Sequence, residues 1–226
     1  MAKRKVETKR GVTPVGVASF PELFHAKRVN ADDPKEDPKF RLTLVFKPQE
    51  MDDANKARFD ELIANVNHVC REELTKLACF TDEQRAAFEA ALAATPDKPL
   101  KAHYAAFKAL TWKTADGPKA IRSPFLLGKD DQYMPDDSIF IRLSTQATRP
   151  PAVVGLDAKT PCEEVEIYAG ALLRVSYTAY PYDNLGNRGV TLYLGNVQKV
   201  GAGTRLGGGP PPEEEFDAVE AEDVAF

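Results

Sequence analysis

Between Tyr168 and Val200 the chain reads YAGALLRVSYTAYPYDNLGNRGVTLYLGNVQKV, two alternating runs joined by a polar turn. Leu173, Val175, Tyr177 and Ala179 recur at every second position, with Arg174, Ser176, Thr178 and Tyr180 between them. A period of two is that of a strand with one buried and one wet face. Pro181 to Asn187 is dense in residues that accept turn geometry. Val190, Leu192 and Leu194 then alternate with Thr191 and Tyr193. The wet faces therefore carry Arg174, Tyr180 and Tyr193, with Tyr182 and Arg188 in the turn and Lys199 farther on. Cations interleaved with flat rings suit a groove for single-stranded nucleic acid, where phosphates meet the cations and unstacked bases lie on the rings. The same residues also suit an ordinary antiparallel hairpin, on whose open face Tyr and Arg are common. Tyr177 shares its face with Leu173 and Val175 and belongs to the core; Tyr180 and Tyr193 are the better ring candidates.

The two runs read as strands over about 166–180 and 188–200, and three further strands are expected. Residues 11–20 form the first, with Val15 and Val17 alternating and Pro14 pointing to an edge or bulge. Phe20 to Phe24 then reads as a short connection. Residues 39–47 are the plainest strand, with Phe40, Leu42, Leu44 and Phe46 on one face and Lys39, Arg41, Thr43, Val45 and Lys47 on the other. Such cations are either a phosphate track or a guard against edge-to-edge pairing. Residues 138–146 alternate too, and place Phe140 beside Arg142 on the wet face, a ring next to a cation. An exposed phenylalanine asks for a reason, either ligand stacking or cover by a neighbouring helical segment.

That helical segment spans about 50–115. Phe59, Leu62, Ile63, Val66, Cys70, Leu74 and Leu77 recur at helical spacing over 52–78. Asp52 or Asp53 caps its start. Thr81-Asp82-Glu83-Gln84 is a capping box opening a helix to about Ala94, and residues 100–110 form a third. Trp112 follows beside Lys108, Lys113 and Lys119. It could stack on a base, but a lone tryptophan more often anchors a helical segment to its sheet. Residues 121–135 read as a loop.

Charge is segregated along the chain. The net charge is −4, yet residues 210–226 hold seven acids and no base: Glu213, Glu214, Glu215, Asp217, Glu220, Glu222 and Asp223. Without them the body has three more bases than acids. Residues 1–10 hold five bases (Lys3, Arg4, Lys5, Lys9, Arg10) and read as a flexible basic arm. Flexible Gly201–Gly209 and the three prolines at 210–212 lead into the acidic tail, which buries too little apolar surface to fold alone. Its last residue, Phe226, gives it the character of a docking peptide. Three cysteines and three histidines without zinc-ligand spacing argue against a structural metal, and no cofactor is implied. No apolar run approaches the ~18 residues of a membrane span, no secretory signal stands at the start, and a reducing cytoplasm fits best.

The chain also shows a family resemblance. It is carried by Ser19-Phe20-Pro21-Glu22-Leu23-Phe24, Lys39-Phe40, Arg149-Pro150-Pro151-Ala152-Val153-Val154, Tyr168-Ala169-Gly170 through Tyr180, Tyr182-Asp183-Asn184, Gly186-Asn187, Gly189-Val190, Asn196-Val197-Gln198 and Gly207-Gly208, in that order. The sequence resembles the bacteriophage single-stranded DNA-binding proteins with an OB fold, once catalogued as a phage domain of unknown function. The resemblance implies a mainly β (α+β) chain: a five-stranded antiparallel OB barrel over 11–209, with the helical insertion inside it and the acidic tail outside. A simple OB fold carries its helix between its third and fourth strands, whereas this insertion falls between the second and third. The implied function is coating of single-stranded DNA in phage replication or recombination, in the host cytoplasm. The tail, ending in Phe226, would contact replication proteins (polymerase, helicase or primase) and compete with DNA.

The expected interface is therefore Tyr180, Tyr193, Tyr182, Phe140 and Trp112 for bases, and Arg174, Arg188, Arg142, Lys39, Arg41, Lys47 and Lys199 for phosphates. It is not an enzyme's site: carboxylates lie in loops, on helix surfaces and in the tail rather than convergent as a metal nuclease needs. Two alternatives remain, an interaction or virion scaffold working through its tail and, less favoured, such a nuclease. Homo-oligomerisation is left open.

Overall fold

The computed structural model describes residues 6–30, 33, 35–128, 137–184 and 186–207. In chain order these form β1 (Lys9–Val12), β2 (Gly16–Lys27), β3 (Lys39–Phe46), α1 (Asp53–Val69), α2 (Asp82–Ala94), α3 (Pro99–Ala109), β4 (Thr111–Thr114), β5 (Gly117–Ala120), β6 (Phe125–Leu127), β7 (Ile139–Gln146), β8 (Val153–Val154), β9 (Leu172–Asn184) and β10 (Asn187–Gly201). The protein is mainly β with a few helices. Eight strands share one sheet, and β4 and β5 form a separate hairpin.

The ladder returns on itself. β9 pairs with β2, β2 with β3, β3 with β7, β7 with β10, and β10 again with β9. Four of these five pairings are antiparallel; β7 and β10 run parallel. β1 lies on β9, β6 on β7, and β8 on β10. Alternation decides what points inward: Leu42, Leu44, Ile141, Leu143, Leu173, Val175 and Leu192 are all buried.

The helices lie between β3 and β7 in the chain. Asp52 caps α1 by accepting from the Asn55 N–H at 2.7 Å, and Asn55 Oδ1 in turn accepts from the Val15 N–H at 2.8 Å. Phe59 on α1 packs against Phe46 and Phe125, with ring centroids 5.7 and 6.0 Å away. Asn65 donates to the hydroxyl of Tyr177 at 2.9 Å, which ties α1 to β9 and lets the buried tyrosine keep a polar partner. α1 ends in a π-helical turn, Cys70–Leu74. The capping box at Thr81 and Gln84 is formed in both directions.

His103 on α3 is fully buried. Its Nδ1 lies 2.6 Å from Asn67 Oδ1 and its Nε2 2.7 Å from Ser123 Oγ. Ser123 Oγ also accepts from the Phe125 N–H at 3.0 Å, so its proton is free for Nε2. A neutral imidazole satisfies every partner, and burial holds the ring's pKa down at about 3.

Several boundaries differ from the sequence reading, each for a local reason. The expected first strand is two, β1 and β2, broken around Pro14. Lys9 and Arg10 belong to β1 rather than to a free arm; Lys3, Arg4 and Lys5 lie outside the described residues. β2 continues through the expected connection to Lys27 because a one-residue bulge between Ser19 and Glu22 takes up Phe20 and Pro21. β9 begins only at Leu172, since the chain turns at Gly170, whose φ of 112° favours glycine. It then runs through Pro181 and Tyr182 to Asn184, which pairs with Asn187, so most of the expected turn belongs to the two strands. The expected loop at 121–135 contains β6.

Candidate nucleic-acid interface

The register of the ladder aligns six side chains in one row across the outer surface. Arg10 stands opposite Thr178, Thr178 opposite Tyr193, Tyr193 opposite Ser144, Ser144 opposite Arg41, and Arg41 opposite Glu22. Directly paired residues share a face of the sheet. Each member of the row is polar or aromatic because its neighbours along the strand, Ala179, Leu192, Leu143 and Leu42 among them, are those that fill the core.

Tyr180 is two pairs farther along on the same face, opposite Thr191. Its ring centroid is 5.3 Å from that of Tyr193, with the planes tilted by 48°. Tyr193 is 45 % exposed and Tyr180 half-buried. The two rings line a cleft of about 590 Å³ together with Arg10, Gln146, Arg149 and Asn196. Arg10 and Arg149 are exposed, and neither forms an ion pair with a described residue.

A bulge in β10 shapes one wall of this cleft. Between Leu194 and Val197 the strand gains Gly195 and Asn196, and Ser176 of β9 fills the gap, its Oγ accepting from the Asn196 N–H at 2.7 Å. A Cβ on Gly195 would lie 2.7 Å from the Ser176 carbonyl oxygen, so the close approach requires glycine. Beyond Asn196 a second cleft of about 330 Å³ opens, with Arg58 of α1 and Arg174 on its walls.

The other expected residues lie elsewhere. Phe140 and Trp112 are corrections: each is 8 % exposed, so neither offers an open ring. Phe140 is flanked in the ladder by Val45 and by Leu126 of β6, and Arg142, which is exposed, stands 5.6 Å over its ring. Trp112 packs edge-on to Phe80 at 6.1 Å and under Arg188 at 4.8 Å. It is the anchor that the sequence offered as the alternative. Tyr182 is half-buried near Gly189, and burial raises its pKa. Tyr177 is in the core as expected, its hydroxyl pushed up to about 12 by burial.

Most of the expected phosphate ligands already have partners. Arg41 donates to Glu22 at 3.4 Å, to the Lys27 carbonyl at 2.7 Å and to Glu36 at 3.1 Å. The Glu36 carboxyl is held below its usual range, first by the Asn30 backbone N–H and further by Arg41. Lys47 bonds Glu50 at 3.0 Å, which raises its pKa, and Lys199 bonds Glu166 at 3.2 Å. Arg188 Nε is 3.1 Å from Asp183, close enough for charge attraction but not aligned as a hydrogen bond. Arg174 donates to Gln198 at 2.6 Å. Lys39 stands opposite Gln146 beside the row; it forms no ion pair with a described acid, but its charge helps to hold the Glu36 carboxyl down.

Sequence reasoning missed Arg149, Asn196 and Arg58 as residues lining these clefts. Arg149 was visible only as part of the run Arg149-Pro150-Pro151, and Asn196 lies in a bulge that alternation does not reveal. Arg58 sits on a helix that periodicity assigns to the core. Glu213, Glu214, Glu215, Asp217, Glu220, Glu222, Asp223 and Phe226 all lie outside the described residues.

Known proteins place the chain in context. No curated protein matches it. Two solved structures are similar in extent. Bacteriophage T7 gp2.5, a single-stranded DNA-binding protein, is 19 % identical over 97 % of this chain and 100 % of that one, with a TM-score of 0.47. The single-stranded DNA-binding protein of bacteriophage Enc34 in complex with ssDNA is 18 % identical over 88 % of this chain and 89 % of that one, with a TM-score of 0.48. The model of one protein family, described as Enterobacter phage Enc34, ssDNA-binding protein, matches residues 12–226. With nearly its whole length matched, the chain belongs to the Enc34 phage ssDNA-binding protein family.

Proposed function

We propose that this chain binds single-stranded DNA without sequence preference, stacking bases on Tyr193 and Tyr180 and placing phosphates against Arg10, Arg149, Lys39 and Arg142. The observation that carries this reading is the pair of rings 5.3 Å apart in a cleft whose two arginines have no described acidic partner. A π-face accepts any base, so a surface of rings and cations discriminates strands by form rather than by sequence. Membership in the Enc34 family supports the same reading.

The circuit β9-β2-β3-β7-β10, with its single parallel pairing, supports a five-stranded OB barrel spanning roughly residues 11–209, the helices being an insertion between its second and third strands. The acidic residues 210–226 dock replication proteins and compete with DNA for the cationic face. The protein acts in the host cytoplasm during phage replication or recombination, and not as an enzyme. With magnesium and a labelled single strand, no cleavage is expected.

The deciding experiment is fluorescence anisotropy with a labelled poly-dT of about 30 nucleotides, titrated at two salt concentrations, with duplex of equal length as competitor. Salt-sensitive binding that duplex does not displace is the expected result. Absence of binding at low salt would overturn the reading.

A further inference from the structure

Phe20 sits in the bulge of β2, two residues before Glu22, the end of the outer row. Its φ is 47°, a left-handed conformation that a bulky side chain rarely adopts and that only surrounding structure can impose. No burial compensates, since the side chain is 70 % exposed. Among the described residues, Phe20 and Tyr193 are the two exposed Phe, Tyr or Trp rings; the other large exposed apolar residues are aliphatic. The row joins them through Ser144 and Arg41. Two acids meet the row here, but Glu22 lies 3.4 Å from Arg41 and 3.9 Å from Lys27, and Glu36 3.1 Å from Arg41, so neither acts as a free anion. Bulges re-aim side chains, and this one aims a ring outward at the far end of a cation-bearing surface.

We propose that Phe20 is a second base-stacking platform, so that one single strand crosses β10, β7, β3 and β2 from Tyr193 to Phe20. Three inter-strand steps separate the two rings, about 14 Å along the sheet at ~4.8 Å per step, so they take different bases of one strand. The backbone between those bases passes Ser144 and Arg41. This inference rests on the single-stranded DNA-binding reading above.

The test uses the full chain, Phe20→Gly and Phe20→Trp, with Tyr193→Ala as reference, against labelled dT of about 30 nucleotides. Phe20→Gly should bind about tenfold more weakly than wild type, the loss expected of one stacked base. Its denaturation midpoint should be unchanged or higher, because glycine adopts this φ without strain. Phe20→Trp should bind like wild type, and its indole emission should be quenched by the oligonucleotide; buried Trp112 supplies only a constant background. If Phe20→Gly binds as wild type does while Tyr193→Ala is weakened, the second platform is refuted and the cleft stands. Loss of self-association in Phe20→Gly with DNA affinity retained would make the ring a contact between copies, and also overturns the proposal. Failure of the wild-type chain to bind dT would remove both readings together.

Discussion

The guanidinium of Arg188 stands 4.8 Å over the ring of Trp112. It joins β10 to the β4–β5 hairpin, so two residues that sequence reasoning offers to DNA pack against each other. Arg188→Ala should lower stability by about 1–2 kcal/mol, the range for a cation largely removed from water over an indole. The measurement is the urea midpoint by circular dichroism. The affinity of the folded variant for dT should be nearly unchanged.

Tyr193→Ala should cost about 1–3 kcal/mol of binding, and Tyr193→Phe much less, because the π-face rather than the hydroxyl takes the base. Tyr180→Ala should behave likewise. With ring centroids 5.3 Å apart, the double variant should lose a different amount from the sum of the two singles. Anisotropy titrations at one fixed salt concentration give all four values. A folded double variant that binds as tightly as wild type would refute the assignment of the cleft.

Salt dependence separates free cations from engaged ones. Arg10→Ala or Arg149→Ala should each reduce the slope of log K against log salt by about 0.7, the release expected per phosphate contact on a single strand. Arg41→Ala should change that slope less, because Glu22 and Glu36 already neutralise it. It should instead destabilise the fold through the acceptors it abandons.

Deleting residues 210–226 should tighten DNA binding at low salt, since seven negative charges no longer compete for the cationic face. The difference should shrink as salt screens it. Equal or weaker affinity without the tail at low salt would exclude autoinhibition.

Acid should destabilise the protein through His103. Its folded pKa, about 3, lies below the usual value of 6.5. Between those limits the unfolded chain binds a proton that the folded one refuses. Stability is therefore fully present above pH 6.5 and falls as pH drops toward 3, with a slope from this group approaching about 1.4 kcal/mol per pH unit. Urea midpoints of wild type and His103→Gln at pH 7, 5 and 4 should show a smaller drop in the variant.

Where one face of a strand is buried and the other wet, alternation made the element legible. Residues 39–46, 139–146 and 187–201 were readable to within a residue or two for that reason. β6, at three residues, is too short to show a period, yet it supplies Leu126 as the ladder neighbour of Phe140. The bulge at Phe20 and Pro21 hid the second half of β2, because an extra residue shifts the alternation. In the cleft, Tyr180 and Tyr193 were readable from their faces. The engagement of Arg41 by Glu22 and Glu36 was not, because loop conformation, not strand pattern, brings an acid to a cation.

Gly16 and Val17 of β2 pair with Leu173 and Leu172 of β9. During synthesis, β2 therefore leaves the ribosome long before its partner exists, and at ~5–20 residues per second it waits with one edge bare. Locally paired β9 and β10 can zip as soon as they emerge, while closure of the ring is the late, slow event that long sequence separation dictates. A chain stopped short of β10 would leave β7 unpaired on that side and β9 without its hairpin partner, two templates for aggregation.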